Sequence, residues 1–396
     1  MPPRGPKFLS CALACAALAL GAAAHAAPGS CLAPAAWYAL DAGAPRRIEA
    51  ARLLGEMARR DVVLLGERHD DADDHRWQLQ TLAALDLLRP SLVIGFEAFP
   101  RRVQPVPDRW VAGELTAQQF LEQAEWRKVW DFPPELYLPL FELARLNRIP
   151  MAALNVDQSL VKAIGEKGWS GVPDAQKEGV SRPAPASPAY ESMLFGVYQA
   201  HATARKQGEP AASRSDPRFL HFVDSQLTWD RAMAEALAAR SKGPERPLVV
   251  GILGSGHVRH GYGVAHQLRA LGVTNIGALL PVDPDSDCAR LKPGLADAVF
   301  AEPPAQKAPP PKPRLGVRID QTKEGVTIVE VTPGSLAEAT GLKVGDRIVT
   351  LAGSRIERNG EVIDAVRAQP EGTWLPIQVR RGEQTLDLVI KFPPRP

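Results

Sequence analysis

The sequence is short of cysteine, of net charge and of long apolar runs. Four cysteines in 396 residues exclude a small scaffold stapled by many disulfides and a thiolate-rich metal cluster. With 47 basic and 45 acidic side chains the formal charge is only +2, so the basic excess of a nucleic-acid binder is missing. Beyond the first 26 residues no stretch is long and apolar enough to span a bilayer. What remains is ordinary globular material. Hydrophobic residues make up 45% of the chain and charged residues 23%, which excludes general disorder. The length allows two or three domains. Proline is the one surplus, at 37 residues.

Residues 1–26 read as a secretory signal peptide. Arg4 and Lys7 open it, Phe8 to Ala23 is an alanine-rich apolar run, and Ala24-His25-Ala26 offers a small-x-small cleavage pattern. Alanine favours membrane insertion too weakly to make the run a strong anchor. A lipid anchor is the lesser reading, because Cys11 and Cys15 lie inside the apolar run rather than just after it. The expected destination is therefore periplasmic or secreted. In an oxidising compartment Cys31 and Cys288 are expected to pair, with two separate thiols as the alternative.

Six prolines in the fourteen residues from Ala301 to Arg314 cannot build ladders and predict an extended spacer. At about 3.1 Å per residue it would reach roughly 40 Å. The expected organisation is thus leader 1–26, large domain 27–300, linker 301–313 and small domain 314–396. In the large domain, apolar runs at Asp61–Gly66, Ser91–Phe96, Ile149–Leu154, Pro247–Leu253 and Thr274–Leu280 read as buried strands. Helical spacing marks Asp74–Leu88, Thr116–Val129 and Pro134–Leu146. Continuous apolar strands alternating with helices predict an α/β domain whose mostly parallel sheet is flanked by helices. Residues 165–217 are polar around a helical piece near Tyr190 to Ala204 that reads as an insertion, in which Tyr190, Met193, Leu194, Val197, Tyr198 and His201 fall at helical intervals. A plain amphipathic helix accounts for that stripe; a mobile cap is the alternative.

Ligands of an open parallel sheet bind outside the carboxyl ends of its strands. Suspicious polar residues gather there. The first strand runs into Glu67, Arg68 and His69, with His75 following; the second ends at Glu97; another ends in Gly254-Ser-Gly-His257. Carboxylate and imidazole together suit a divalent ion, the deprotonation of a water, or a structural hydrogen-bond network. Spacing does not separate these three.

The pattern Val63-Leu-Leu-Gly-Glu-Arg-His-Asp70, His75 and Gln78, Gly95-Phe-Glu-Ala-Phe99, Gln104, Trp130, Tyr137-Leu-Pro-Leu140, Gln226-Leu-Thr-Trp-Asp230, Met233-Ala234 and Gly254-Ser-Gly-His257 resembles the ChaN family of haem-binding proteins. That family belongs to a Tiki-like superfamily which also holds metal-dependent proteases and erythromycin esterases. The resemblance implies haem as cofactor and partner, bound near a homodimer interface, with a tyrosine phenolate able to ligate iron. A hard anionic oxygen suits Fe(III). The resemblance makes Tyr137 the first expected ligand; Tyr262, which follows His257 in a glycine-rich turn, is the second, with His75 and Trp130 beside the cofactor and Trp126 and Phe132 as apolar cover. The core alternative for Tyr137 is packing beside Leu140 and Phe141 on a helix. No Cys-x-x-Cys-His is present, so haem would be held noncovalently. The superfamily implies an alternative: a hydrolase in which Glu67, His69, Glu97 and His257 hold a metal or activate water. Ala98 stands where the ChaN family more often has methionine.

The C-terminal residues resemble a bacterial PDZ domain, through Leu315-Gly-Val-Arg-Ile319 and the run from Val331 to Ile348. Ser335 is expected to cap a short helix that Gly341 ends, and Asn359 to cap a later helix presenting Val362, Ile363 and Val366. The resemblance implies that a peptide adds as a strand, its terminal carboxylate received by the amides of Leu315, Gly316 and Val317, with Ile363 facing it. Docking within the chain is the alternative role.

Overall fold

The computed structural model describes residues 32–41, 44–203, 213–242, 245–285, 288–303, 313–323 and 325–394. The expected leader lies outside them. So does the Cys31–Cys288 pairing, since neither Cys31 nor the Cys288 side chain is among what is described. The chain forms two compact units, dividing between Ala305 and Gln306.

The first unit is built on eight strands: β1 (Ala36–Ala39), β2 (Arg46–Ile48), β3 (Val62–Glu67), β4 (Leu92–Pro100), β5 (Met151–Asn155), β6 (Leu248–Gly254), β7 (Ile276–Val282) and β8 (Ala298–Ala301). Their order across the sheet is β2-β1-β8-β7-β3-β6-β4-β5. The six strands from β8 to β5 are parallel, and β1 adds antiparallel to β8, carrying β2 with it. Sequence alone predicts the parallel centre but neither β1, β2 nor β8. Those three are only three or four residues long, too short for an alternation signal.

Helices cover both faces: α1 (Ala50–Met57), α2 (Ala72–Leu88), α3 (Pro105–Val111), α4 (Ala117–Gln123), α5 (Trp126–Val129), α6 (Pro134–Leu146), α7 (Gln158–Lys167), α8 (Pro188–Thr203), α9 (Pro217–Ser241), α10 (Ser255–Val258) and α11 (Val264–Ala270). The strand alternation feeds two cores. Val63, Leu65, Ile94, Phe96, Val250 and Ile252 face one of them. Val62, Leu64, Val93, Val249 and Leu253 face the other. Burial on both faces is why these strands read as unbroken apolar runs. The single helix expected over 116–129 is two, because Glu125 takes a left-handed φ of 54° between them.

Strand order decides where the site lies. β6 returns late in the sequence to insert between β3 and β4, so the carboxyl ends of three strands that leave the sequence far apart become neighbours. Such a crossover point is where open parallel sheets form a crevice.

The second unit is a six-stranded antiparallel sheet of β9 (Val317–Thr322), β10 (Gly325–Val331), β11 (Arg347–Leu351), β12 (Ser354–Arg355), β13 (Trp374–Arg381) and β14 (Gln384–Lys391), with α12 (Leu336–Thr340) and α13 (Asn359–Arg367). β9 is an edge strand. Ser335 caps α12 by accepting from the Glu338 amide at 3.3 Å, and Gly341 ends the helix with φ 83°. Asn359 departs from expectation: it is the first helical residue rather than the cap. The Glu361 carboxylate ties that end instead, accepting from the amides of Glu357 (2.8 Å) and Arg358 (3.1 Å).

Candidate functional site

Glu67 closes β3 with its carboxylate buried beneath the sheet edge. One oxygen, Oε1, takes two partners: the Tyr137 hydroxyl donates to it at 2.5 Å, and His69 Nδ1 lies 2.8 Å away. The other oxygen faces His75 Nδ1 at 3.4 Å. His75 is aimed by α2, whose first turn is fixed by the Asp71 side chain accepting from Asp73 at 2.9 Å. Its Nε2 lies 3.2 Å from the His69 carbonyl. Burial alone would raise the Glu67 carboxyl, but His69, His75 and the Tyr137 hydrogen bond together hold it below the usual carboxylate range. The same burial, with the Glu67 charge beside it, pushes the Tyr137 phenol far up. Tyr137 is therefore a neutral donor, only 1% exposed.

A second arm repeats this order of groups with other residues. Tyr190, from α8, donates to Asp230 Oδ2 at 2.6 Å. Asp230, from the middle of α9, holds His257 Nδ1 at 2.7 Å through its other oxygen. His257 sits on α10, directly after β6. Burial works against its charge, yet Glu97 and Asp230 outweigh it and push the imidazole up to about 9.

Glu97 stands between the arms. β4 leaves its ladder with β6 after Phe96, so Glu97 is free to turn toward the strand ends. Its Oε2 accepts from the Gly254 amide at 2.7 Å, its carbonyl from Asn155 Nδ2 at 3.0 Å, and its Oε1 lies 3.5 Å from His257 Nε2. Gly254 has a steric reason to be glycine. A Cβ there would come within 2.9 Å of the His69 ring. His69 is also shifted upward: burial opposes its charge, but Glu67 and Glu97 prevail.

Two tryptophans frame the mouth. The Trp130 indole meets the His69 ring edge-on at 4.7 Å, and Trp229 meets His257 at 5.6 Å. Between them lies a cavity of about 410 Å³, lined by Trp130, Trp229, Ala98, Asn155, Arg102 and Lys128. Its volume falls within the range of about 300–1,000 Å³ typical of small-ligand sites.

The strand-end residues expected from sequence, Glu67, His69, Glu97 and His257, are thus brought together with Tyr137, His75 and Trp130. Phe132 joins them 5.1 Å from His69, whereas Trp126 is buried in the core. Tyr262 lies apart from Glu67. It stacks on His260 at 5.0 Å and tilts against Tyr190 at 6.2 Å. Sequence reasoning missed the roles of Tyr190, Trp229 and Asp230. One signal was available for Asp230: Met233, Ala234 and Leu237 follow at helical intervals and are buried with it, which puts a carboxylate on an apolar stripe.

The divalent-ion alternative finds no support. Among the described residues the acidic and imidazole groups close enough to share an ion are Asp71, Asp74 and Glu302, not Glu67, His69, Glu97 and His257. The expected quartet is instead partnered off, His69 with Glu67 and His257 with Asp230. The acidic trio already holds a cation, for Arg68 Nη2 lies 2.7 to 2.8 Å from all three.

Fold and site together define a parallel α/β domain with a buried acid–imidazole cluster under an aromatic slot, joined to a small antiparallel β domain. The model of the family described as haem-binding uptake, Tiki superfamily, ChaN matches residues 53–268. The chain belongs to that family. A PDZ domain model matches residues 313–392. Among solved structures, one described as "Cofacial heme binding to ChaN of Campylobacter jejuni" is 18% identical, covering 67% of this chain and 96% of that one with a TM-score of 0.51; this likeness is one of fold. Serine protease HTRA1 of Xenopus tropicalis and of Xenopus laevis are each 37% identical over 70 residues, 18% of this chain. The chain spans only 15% of the length of those curated relatives.

Proposed function

We propose that the first unit is an exported haem carrier, holding haem noncovalently in the slot between Trp130 and Trp229 for uptake or transfer, and that the second binds a protein C-terminus. Family membership supplies the cofactor; the observation that carries the reading is the slot. Its indole walls suit a flat porphyrin, and two imidazoles lie behind the tryptophans; Arg102 and Lys128 at its edge are already paired with Glu125 and Asp157. Bound haem would supply an iron centre needing an axial ligand.

Of the candidate ligands, His69 fits that task better than Tyr137. Its side chain is 28% exposed, and with Nδ1 turned to Glu67 it is Nε2 that remains for iron, once it gives up the proton that Glu67 and Glu97 favour. Tyr137 would first have to leave Glu67 and lose its proton. A hemin titration followed in the visible separates the two. Saturable binding that His69→Ala loses and Tyr137→Phe keeps supports this reading. A phenolate charge-transfer band that Tyr137→Phe abolishes returns the ligand to Tyr137. No saturation at all overturns haem binding.

A hydrolase is the second reading. What favours it is Glu97, a carboxylate 3.5 Å from an imidazole held charged, which pairs a base with an acid. Turnover of an amide or ester substrate that Glu97→Gln removes would establish it.

In the second unit β9 is an open sheet edge and Gly316 has φ 79°, so successive amides of Leu315, Gly316 and Val317 can converge on a carboxylate. Ile363 stands 41% exposed on α13, ready to meet an apolar terminal side chain. A peptide with a free C-terminus should bind and its amidated form should not; equal binding contradicts the assignment. A homodimer is proposed on the family resemblance, and sedimentation of the hemin-loaded chain tests it.

A further inference from the structure

The helical insertion, α8, sends one polar side chain into the first unit's site. Tyr190 is fully buried, and its hydroxyl ends on Asp230. Asp230 is itself completely buried and divides its two oxygens between Tyr190 and His257. The fit around it is close. A Cβ on Gly263 would fall 2.7 Å from Asp230 Oδ1 and 2.8 Å from the His257 carbonyl, so glycine at 263 is what lets the α10–α11 turn close over this pair. A buried carboxylate in the middle of a long helix is costly unless its charge is used, and here both oxygens are.

We infer that Asp230 and Tyr190 are positioning residues for His257, and that the insertion is therefore a working part of the site rather than a separate cap. This rests on the haem reading only for its consequence, not for its geometry. With Nδ1 bound to Asp230, the ring plane and its Nε2 are fixed toward Glu97 and against Trp229. An imidazole so held is a donor of defined direction, facing an anionic partner, while His69 on the opposite arm remains the ligand candidate. Both ring nitrogens are thereby committed, Nδ1 to Asp230 and Nε2 to Glu97, so the insertion acts on the site through the placing of Glu97 as well as of the imidazole.

The test uses the full chain and reads His257 directly. Long-range proton–nitrogen spectra of histidine-labelled protein report the tautomer and the low-field Nδ1–H expected beside a carboxylate. Tyr190→Phe keeps the ring and removes only the hydroxyl; Asp230→Asn removes the charge. Tyr198→Phe, on the same helix as Tyr190 and packed on Phe219 and Phe222 of α9, controls for helix packing. The Nδ1–H signal is expected to shift in Tyr190→Phe, to vanish or move upfield in Asp230→Asn, and to stay in Tyr198→Phe. Hemin affinity should fall about five-fold for Tyr190→Phe, the worth of one net hydrogen bond, and more for Asp230→Asn. A His257 signal unchanged in both variants overturns the inference, as does an equal change in Tyr198→Phe. If wild-type protein fails to bind hemin while His257 still responds to Asp230 and Tyr190, the haem reading fails and the positioning role stands.

Discussion

The two arms of the site use the same three groups, tyrosine, carboxylate and imidazole, yet they are assembled differently. In the first, carboxylate and imidazole are two residues apart, Glu67 and His69, at the end of one strand, and only Tyr137 is brought from elsewhere. In the second, Tyr190, Asp230 and His257 come from three separate helices. The chemical balance differs too. Glu67 serves Tyr137, His69 and His75, and its charge is kept by three neighbours. Asp230 serves two groups, and it is the imidazole whose charge is most strongly kept, up to about 9. One arm is thus organised around a retained anion and the other around a retained cation, with Glu97 between them.

Removing the anion should cost most. Glu67→Ala leaves two imidazoles and a phenol without their shared acceptor, and denaturant unfolding should show a loss of about 3–5 kcal/mol, as for other broken buried charge networks. A loss near zero would mean that the three contacts are incidental. Asp230→Asn keeps the shape and two partners, so its expected loss is smaller, about 1–3 kcal/mol. An effect larger than that of Glu67→Ala would reverse the ranking of the arms.

The third contrast is in pH. His257 is raised above its unfolded value, so its contribution is complete below about 6.5 and is lost as pH climbs through about 9. Glu67 is lowered, so its contribution is present above the ordinary carboxylate range and lost as the pH falls through its depressed value. Thermal unfolding followed between pH 7 and 10 should therefore show an alkaline decline, moved to lower pH in Asp230→Asn. An unmoved decline would assign it to other groups, His69 first among them. The smallest effect expected is in the phenols. Tyr190→Phe and Tyr137→Phe should each cost about 1 kcal/mol, with Tyr137 the larger because it leaves an anion one donor short.

The same contrast explains what could be read from the sequence. The parallel sheet is legible because its strands are buried on both faces and appear as apolar runs. Glu67, His69, Glu97 and His257 are legible because each follows such a run directly, and the strand order then makes them neighbours. Asp230 and Tyr190 carry no such marker. They lie within helices, and only the packing of α8 and α9 brings them to His257. Tyr262 shows the reverse. Its nearness to His257 in sequence suggested a place in the cluster, but the turn through His260, with φ 60°, carries it to the Tyr190 side. The break at Glu125 and the true cap before Asn359 are not legible, for local reasons. A left-handed residue without glycine leaves no sequence signal, and the Glu361 carboxylate outcompetes the asparagine for the helix end.

The most direct test is a crystal structure of the full chain grown with hemin. The account predicts porphyrin between Trp130 and Trp229, iron on His69, and His257 still held between Asp230 and Glu97. Porphyrin seated away from these tryptophans, with the cluster around Glu97 untouched, would contradict it.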